Sequence, residues 1–247
     1  MALEYVTFGE MNSLEDWGLI KVTDEIGYPV PSASFDELAL YGLTADQYDV
    51  EESRRELHFT FRALDAEPFP GLVDEITAYL HGQKLKIRRS IDPESYYLGR
   101  CAVNQYKTVK RVGTLVIDVN AEPYKYGDRV TETFSGLAGK TLTVDTDYRT
   151  PAVVEITPSI GMATLTITGL AYNGVTGAGE SIKLNALQSG VKIIIDGEKK
   201  TITKANGQSV FSSAEFWEFP SLKPGNNTIS LSNSNLAVSV AYTPRRI

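Results

Sequence analysis

One cysteine and two histidines are all that this 247-residue chain offers in the side chains that carry most thiol, metal and acid–base chemistry. Because Cys101 is alone, there is no internal disulfide and no thiolate metal site. His58 and His81 stand far apart, with no neighbouring Cys and no HExxH spacing, so both read as structural. The second half has no histidine, which excludes a Ser-His-Asp or Cys-His relay there. Long apolar runs are missing as well. No stretch approaches the roughly 18–20 residues of a membrane span, so no membrane partner is expected. The start, MALEYVTFGEMNSLEDWG, lacks the basic and apolar regions of a secretory signal. Synthesis in the cytoplasm is the expectation.

Basic charge is also short. The formal net charge is −7, whereas a protein gripping nucleic acid needs Lys and Arg to displace counterions from phosphates. Basic residues cluster only at Lys84, Lys86, Arg88 and Arg89 and again at Lys107, Lys110 and Arg111. Those clusters suit a solvated strand face or an acidic neighbour better than specific nucleic-acid binding.

What is present is alternation. In ELHFTFRAL, Leu57, Phe59 and Phe61 share one face, with His58, Thr60 and Arg62 on the other. Leu115, Ile117 and Val119 repeat the habit. So do Ala163, Leu165 and Ile167, and finally Leu236, Val238, Val240 and Tyr242. Such strands fit antiparallel sheets with one buried face. Asp196-Gly197 reads as a hairpin turn in which Gly takes positive φ. One segment reads as a helix. After Pro70, GLVDEITAYLHG sets Leu72, Ile76, Tyr79 and Leu80 at helical spacing and stops at Gly82. The first 55 residues read as loops and short strands, with a helical turn near DELALYG.

Composition shifts after Pro123-Tyr124-Lys125-Tyr126, from charged to rich in Thr, Ser, Gly and β-branched residues, with frequent turn signals. This is the pattern of a β-sandwich or barrel. The expected organisation is therefore mainly β: an N-terminal β-rich domain with one helix over residues 1–130, and a C-terminal β-sandwich over residues 131–247.

The remaining candidates for chemistry are weak. GVTGAGES lacks the Gly-Lys-Ser/Thr ending of a phosphate loop. Asp145 and Asp147 fall short of the six or more oxygens calcium takes. Glu215 and Glu218 flank Phe216-Trp217, but acids so closely spaced do not straddle a glycosidic bond. Core aromatics with solvated acids between them are the plainer reading. No catalytic residue, cofactor or metal is expected.

An ordered set of motifs goes further than periodicity. It comprises Phe8-Gly9, Asp16-Trp17-Gly18-Leu19, Tyr79-Leu80-His81-Gly82, Asp92-Pro93-Glu94, Tyr96-Tyr97-Leu98-Gly99-Arg100 and Pro123-Tyr124-Lys125-Tyr126. The series closes on IIIDGEKKTI, FPSLKPGNN and Val240-Ala241-Tyr242-Thr243-Pro244-Arg245. In this order the chain resembles the distal tail protein (Dit) family of siphophages and prophages of Gram-positive bacteria.

The resemblance implies a structural hub at the virion tail tip. The N-terminal domain forms a ring, usually hexameric, at the end of the tail tube, and a C-terminal galectin-like β-sandwich projects from it. Implied partners are further copies of the chain, the tail tube protein and a tail-associated lysin or tail-tip protein, with DNA passing through the channel. Candidate subunit-interface residues are Tyr96, Tyr97, Arg100, Lys110 and Arg111, where flat aromatic area meets cations. The alternative is a carbohydrate-binding host-adhesion module. Against it, the His-x-Asn-x-Arg strand of galectins is missing, leaving only Trp217-Glu218 of the sugar-ligating set.

Overall fold

The computed structural model describes residues 3–29, 53–63, 69–109, 112–173 and 177–247. The chain divides into two compact units, residues 1–126 with Ile247 and residues 127–246, and each has its own apolar cluster. It is mainly β, with one α-helix among the described residues.

In the first unit the strands are β1 (Val6–Phe8), β2 (Met11–Asn12), β3 (Leu19–Ile26) and β4 (Arg55–Ala63). The helix α1 (Phe69–Leu80) follows, then β5 (Lys84–Arg89), β6 (Asp92–Val109) and β7 (Val112–Gly127). They join in the order β2-β1-β5-β6-β7-β4-β3. The expected alternation holds, since Leu57, Phe59, Phe61, Leu115, Ile117 and Val119 all turn into the core. The helix covers that face with Phe69, Val73, Ile76 and Leu80, spaced at four, three and four residues along one side. Burial of each contributes about 1.5–3 kcal/mol. Leu72 and Tyr79, expected in the stripe, flank it partly buried, while Phe69 and Val73 complete it. Gly82 ends the helix with φ +79°, as its position suggested. The DELALYG segment lies outside the described residues.

The second unit contains β8 (Val130–Ser135), β9 (Gly139–Val144), β10 (Thr150–Pro158), β11 (Met162–Tyr172), β12 (Gly179–Leu187), β13 (Ile193–Asp196) and β14 (Thr201–Lys204). After them come β15 (Ala214–Glu215), β16 (Ser221–Leu222), β17 (Gly225–Leu231) and β18 (Leu236–Tyr242). One sheet runs β14-β13-β10-β18-β8, with β16 beside β10, and the other β15-β12-β11-β17-β9. Their apolar faces meet in one cluster that includes Val154, Ile156, Val238 and Val240 from the first sheet and Leu165, Ile167, Ile182 and Ile229 from the second. This is an antiparallel β-sandwich. Ala163 departs from expectation. It lies exposed at the start of β11, and Met162 is buried instead.

The Asp196-Gly197 hairpin forms, but for a different reason than positive φ. Four residues separate β13 from β14, and Asp196 Oδ1 accepts hydrogen bonds from the backbone N–H groups of Glu198 and Lys199, both at 2.9 Å. Lys200 carries the positive φ, at 55°. Gly197 is required by space, because a Cβ there meets the Pro220 carbonyl oxygen at 2.2 Å.

The outward face of the second sheet is a polar ladder. Thr141 opposes Thr228, Thr143 opposes Asn226, and Thr164 and Thr166 oppose Asn185 and Lys183. Hydroxyls and amides bond across it, as in Thr141–Thr228 at 3.1 Å and Thr143–Asn226 at 2.9 Å. At the corner after β16, the buried Asn227 side chain bonds the backbone of Lys223 and Gly225 and the Tyr172 hydroxyl. This pins the FPSLKPGNN turn.

In the first unit, a Cβ added at Gly113 meets the Phe69 ring at 2.6 Å, whereas one at Gly71 meets nothing within 4 Å. Gly113→Ala should therefore destabilise by about 1–3 kcal/mol. Gly71→Ala, in the open face of α1, should stabilise by about 0.5–1 kcal/mol. Urea unfolding of the two variants checks the pair, and equal effects would contradict the packing of Phe69 on β7.

Candidate assembly surface

The basic strand β5 presents Lys84, Lys86 and Arg88 along one side of the first unit. Between them and β7 lies Tyr96, stacked on Tyr126 at 5.5 Å. Lys86 Nζ sits 4.6 Å and Arg88 Cζ 5.4 Å from the centre of the Tyr96 ring, an arrangement in which each cation faces the negative π-cloud. Lys84 and the Tyr126 hydroxyl both bond the Glu122 carboxylate. A depression of about 330 Å³ beside them is bounded by Arg54, Lys84, Arg100 and Glu122. Arg100 is exposed and donates to the Gly82 carbonyl.

The interface candidates therefore divide. Arg100 stands at the surface. Tyr96 is 8% exposed beneath its two cations, and Tyr97 is 4% exposed inside the core, so the Tyr97 side chain packs within its own unit. Lys110 and Arg111 lie outside the described residues.

Sequence reasoning missed a network of ions along the inner edge of this sheet. Lys21, with its side chain 3% exposed, bonds Glu4 at 2.6 Å and Asp24 at 2.7 Å. Asp24 takes Arg89 at 3.0 Å, and Asp92 takes Lys125 at 2.7 Å. Arg55 and Arg89 lie 5.3 and 5.8 Å from the Tyr97 ring centre. The Nε and Nη2 of Arg55 are buried without a hydrogen-bond partner among the described residues, which leaves the aromatic face to compensate the cation. The signal was present in the sequence: Lys21 follows Leu19, and Arg55 precedes Leu57, at the inward positions of alternating strands.

Burial opposes charge on Lys21, yet its hydrogen bonds to Asp24 and Glu4 win and raise its pKa. Burial likewise works against Asp24 and Asp92, but hydrogen bonds from Lys21 and Arg89, and from Lys125 and Ser95, hold both below the ordinary carboxylate value. On the other face of the sheet, His58 Nδ1 lies 2.8 Å from Asp118 Oδ1, and this bond raises the imidazole pKa. The Cys101 thiol is pushed up to about 12 by burial, so it remains a protonated core side chain. Among the described residues no group of three or more His, Cys, Asp or Glu is placed to hold a metal. No helix of the described residues is long and apolar enough to cross a membrane.

The second unit contributes an exposed aromatic edge. Phe216 packs edge to face on both Phe211 and Phe219, with Phe216–Phe219 centroids 4.9 Å apart. Trp217 is 91% exposed, which corrects the expectation that both residues of Phe216-Trp217 are core aromatics. Glu215 bonds Lys183 and Asn185. Asp145 pairs with Arg246.

Residues 145–245, nearly all of the sandwich, match the family model of the siphovirus-type tail component, C-terminal domain. The whole chain shares its fold with the SPP1 Dit protein, described as a hub of the adsorption apparatus of phages infecting Gram-positive hosts. That similarity has a TM-score of 0.73 at 15% identity and covers 100% of both chains. A chain of the phage P2 baseplate is more distant, with a TM-score of 0.45 at 10% identity over 100% of this chain and 99% of that one. No curated relative matches the chain. Residues 145–245 are thus a domain of the siphovirus-type tail component class. The domain match and the fold that the full chain shares with SPP1 Dit both agree with a resemblance to the distal tail protein (Dit) family.

The pH dependence of stability follows from these pairs. Asp24 and Asp92 have depressed pKa values, so their contribution is present above the ordinary 3.8 and lost as pH falls through the lower folded values. The raised pKa of His58 gives a contribution present below 6.5 and lost as pH rises through its folded value. Urea midpoints measured against pH should fall at the acid end. His58→Gln should flatten the slope on the alkaline side of 6.5 without altering the acid limb.

Proposed function

We propose that this protein is the tail-tip hub, forming a ring at the distal end of the tail tube and connecting it to baseplate or tail-tip proteins. The observation that carries this reading is the tail-component domain over residues 145–245, joined to a fold shared over the full length with a phage hub protein. The first unit supplies the ring, which is hexameric. The second, with galectin-like architecture, serves contacts outside the ring.

A head-to-tail ring needs two different surfaces that meet. The basic face at Lys84, Lys86, Arg88 and Arg100 is one, and its cations are held in place by Tyr96 and Glu122. Such charge sets register and partner choice more than raw affinity. The net charge of −7 suits a channel through which DNA passes without adhering. Tail tube protein and a tail-associated lysin or tail-tip protein are the neighbours this reading calls for. It includes no catalytic step, cofactor or metal.

Native mass spectrometry at rising concentration should show closed oligomers, hexamers above all, for the full chain. A fragment beginning at residue 128 has the whole sandwich core within it and should fold cooperatively and stay monomeric. Arg100→Glu should weaken assembly by roughly tenfold, as expected for an interfacial charge worth about 1.4 kcal/mol. Oligomers formed by the fragment alone would assign assembly to the wrong unit.

A further inference from the structure

The most exposed large apolar side chain of the described residues is Trp217, and its surroundings define what it faces. Along residues 214–217 the chain alternates. Ala214 and Phe216 pack against the sandwich core, while Glu215 and Trp217 turn to solvent. Outward Glu215 lies opposite Lys183 in the sheet register. Its carboxylate takes Lys183 Nζ at 3.1 and 3.2 Å and Asn185 Nδ2 at 2.7 Å. Asn185 Oδ1 in turn faces the Thr164 hydroxyl at 3.4 Å, and Thr166 opposes Lys183. The polar groups are thus held against one another in fixed positions. They keep capacity for a ligand, because the Asn185 amide has a second N–H, the Lys183 ammonium a third, and the threonines can both donate and accept.

The chemistry of the face selects its ligand. Lys183 and Glu215 cancel in charge, and the hydroxyls and amides beyond them are neutral, so nothing here attracts a polyphosphate. A protein interface of ordinary kind has an apolar centre and a polar rim. Here the order is reversed, with hydroxyls and amides across the sheet and one indole at its edge. A sugar ring matches this arrangement: one face of C–H groups complements the negative π-face of an indole, and its hydroxyls complement a plane of mixed donors and acceptors.

We propose that the outward face of this sheet around Trp217 binds a neutral polysaccharide, the indole stacking on one sugar ring while Glu215, Asn185 and Lys183 exchange hydrogen bonds with its hydroxyls. This site differs from the His-x-Asn-x-Arg strand of galectins, which the chain lacks. It is open and shallow, so a single sugar buries little and binds at about the millimolar level. A polymer laid along the threonine ladder engages several positions at once and is retained far better. The inference uses the geometry of the second unit alone and stands apart from ring assembly.

Affinity electrophoresis of the full chain through native gels containing galactomannan, dextran or a β-glucan tests it, with heparin as the polyanion control. The wild type should be retarded in at least one neutral gel and run freely in heparin. Trp217→Ala should abolish the retardation with an unchanged melting temperature, as expected for a side chain with no packing to lose. Asn185→Ala should weaken apparent affinity roughly threefold to tenfold, the loss of one hydrogen bond. Free migration in every neutral gel overturns the proposal, as does equal retardation of Trp217→Ala or retardation confined to heparin. A variant that alters oligomeric state while no sugar gel retains the wild type assigns the indole to a protein contact, and the proposal fails.

Discussion

An antiparallel sheet with one apolar face cannot stand alone in water, and both units of this chain are organised around covering such a face. The first uses the 12-residue helix α1, whose buried stripe of Phe69, Val73, Ile76 and Leu80 joins one apolar cluster with Leu57, Phe59, Phe61 and their neighbours. The second sets one sheet against another, with isoleucine, leucine and valine from both filling the gap. The close packing of protein interiors makes these surfaces specific. Gly113 exists because the Phe69 ring occupies the volume a side chain would need, and Gly197 because backbone oxygens do.

With the inner faces committed to packing, the outer faces are left to recognise other molecules, and the two units equip them differently. The first unit exposes cations arranged over tyrosines, which favour orientation and register between acidic and basic surfaces. The second exposes hydroxyls and amides in ladders, with the Lys183–Glu215 pair among them. One chain thus offers a charged outer surface on its first unit and a neutral, hydroxyl-rich one on its second.

The least expected feature is the ion network along the inner edge of the first sheet. A cation as buried as Lys21 is costly unless paired, and here the carboxylates of Glu4 and Asp24 pair it, Asp24 being shared with Arg89. The network ties β3, β5, β6 and β7 together, since Lys21 and Asp24, Arg89, Asp92 and Lys125 come from those four strands.

Alternation marked β4, β7, β11 and β18 and, Ala163 excepted, the side that each buries, because side-chain direction in a strand has period two whatever the strand pairs with; helical spacing marked α1. The family resemblance was legible too, since it rests on ordered motifs and not on contacts. What sequence spacing does not contain is which strands pair, and that decided the sites. Tyr97 looked available, yet it packs into the core cluster beside Arg55 and Arg89, and Trp217 looked internal until Ala214 and Phe216 took the inward positions beside it. Asn185, Lys183 and Glu215 are up to 32 residues apart in sequence, and only the pairing of β12 with β15 brings them to one face. Local preference fixes where a side chain can point; the partners it meets there depend on chain segments distant in sequence, and only the folded structure joins them.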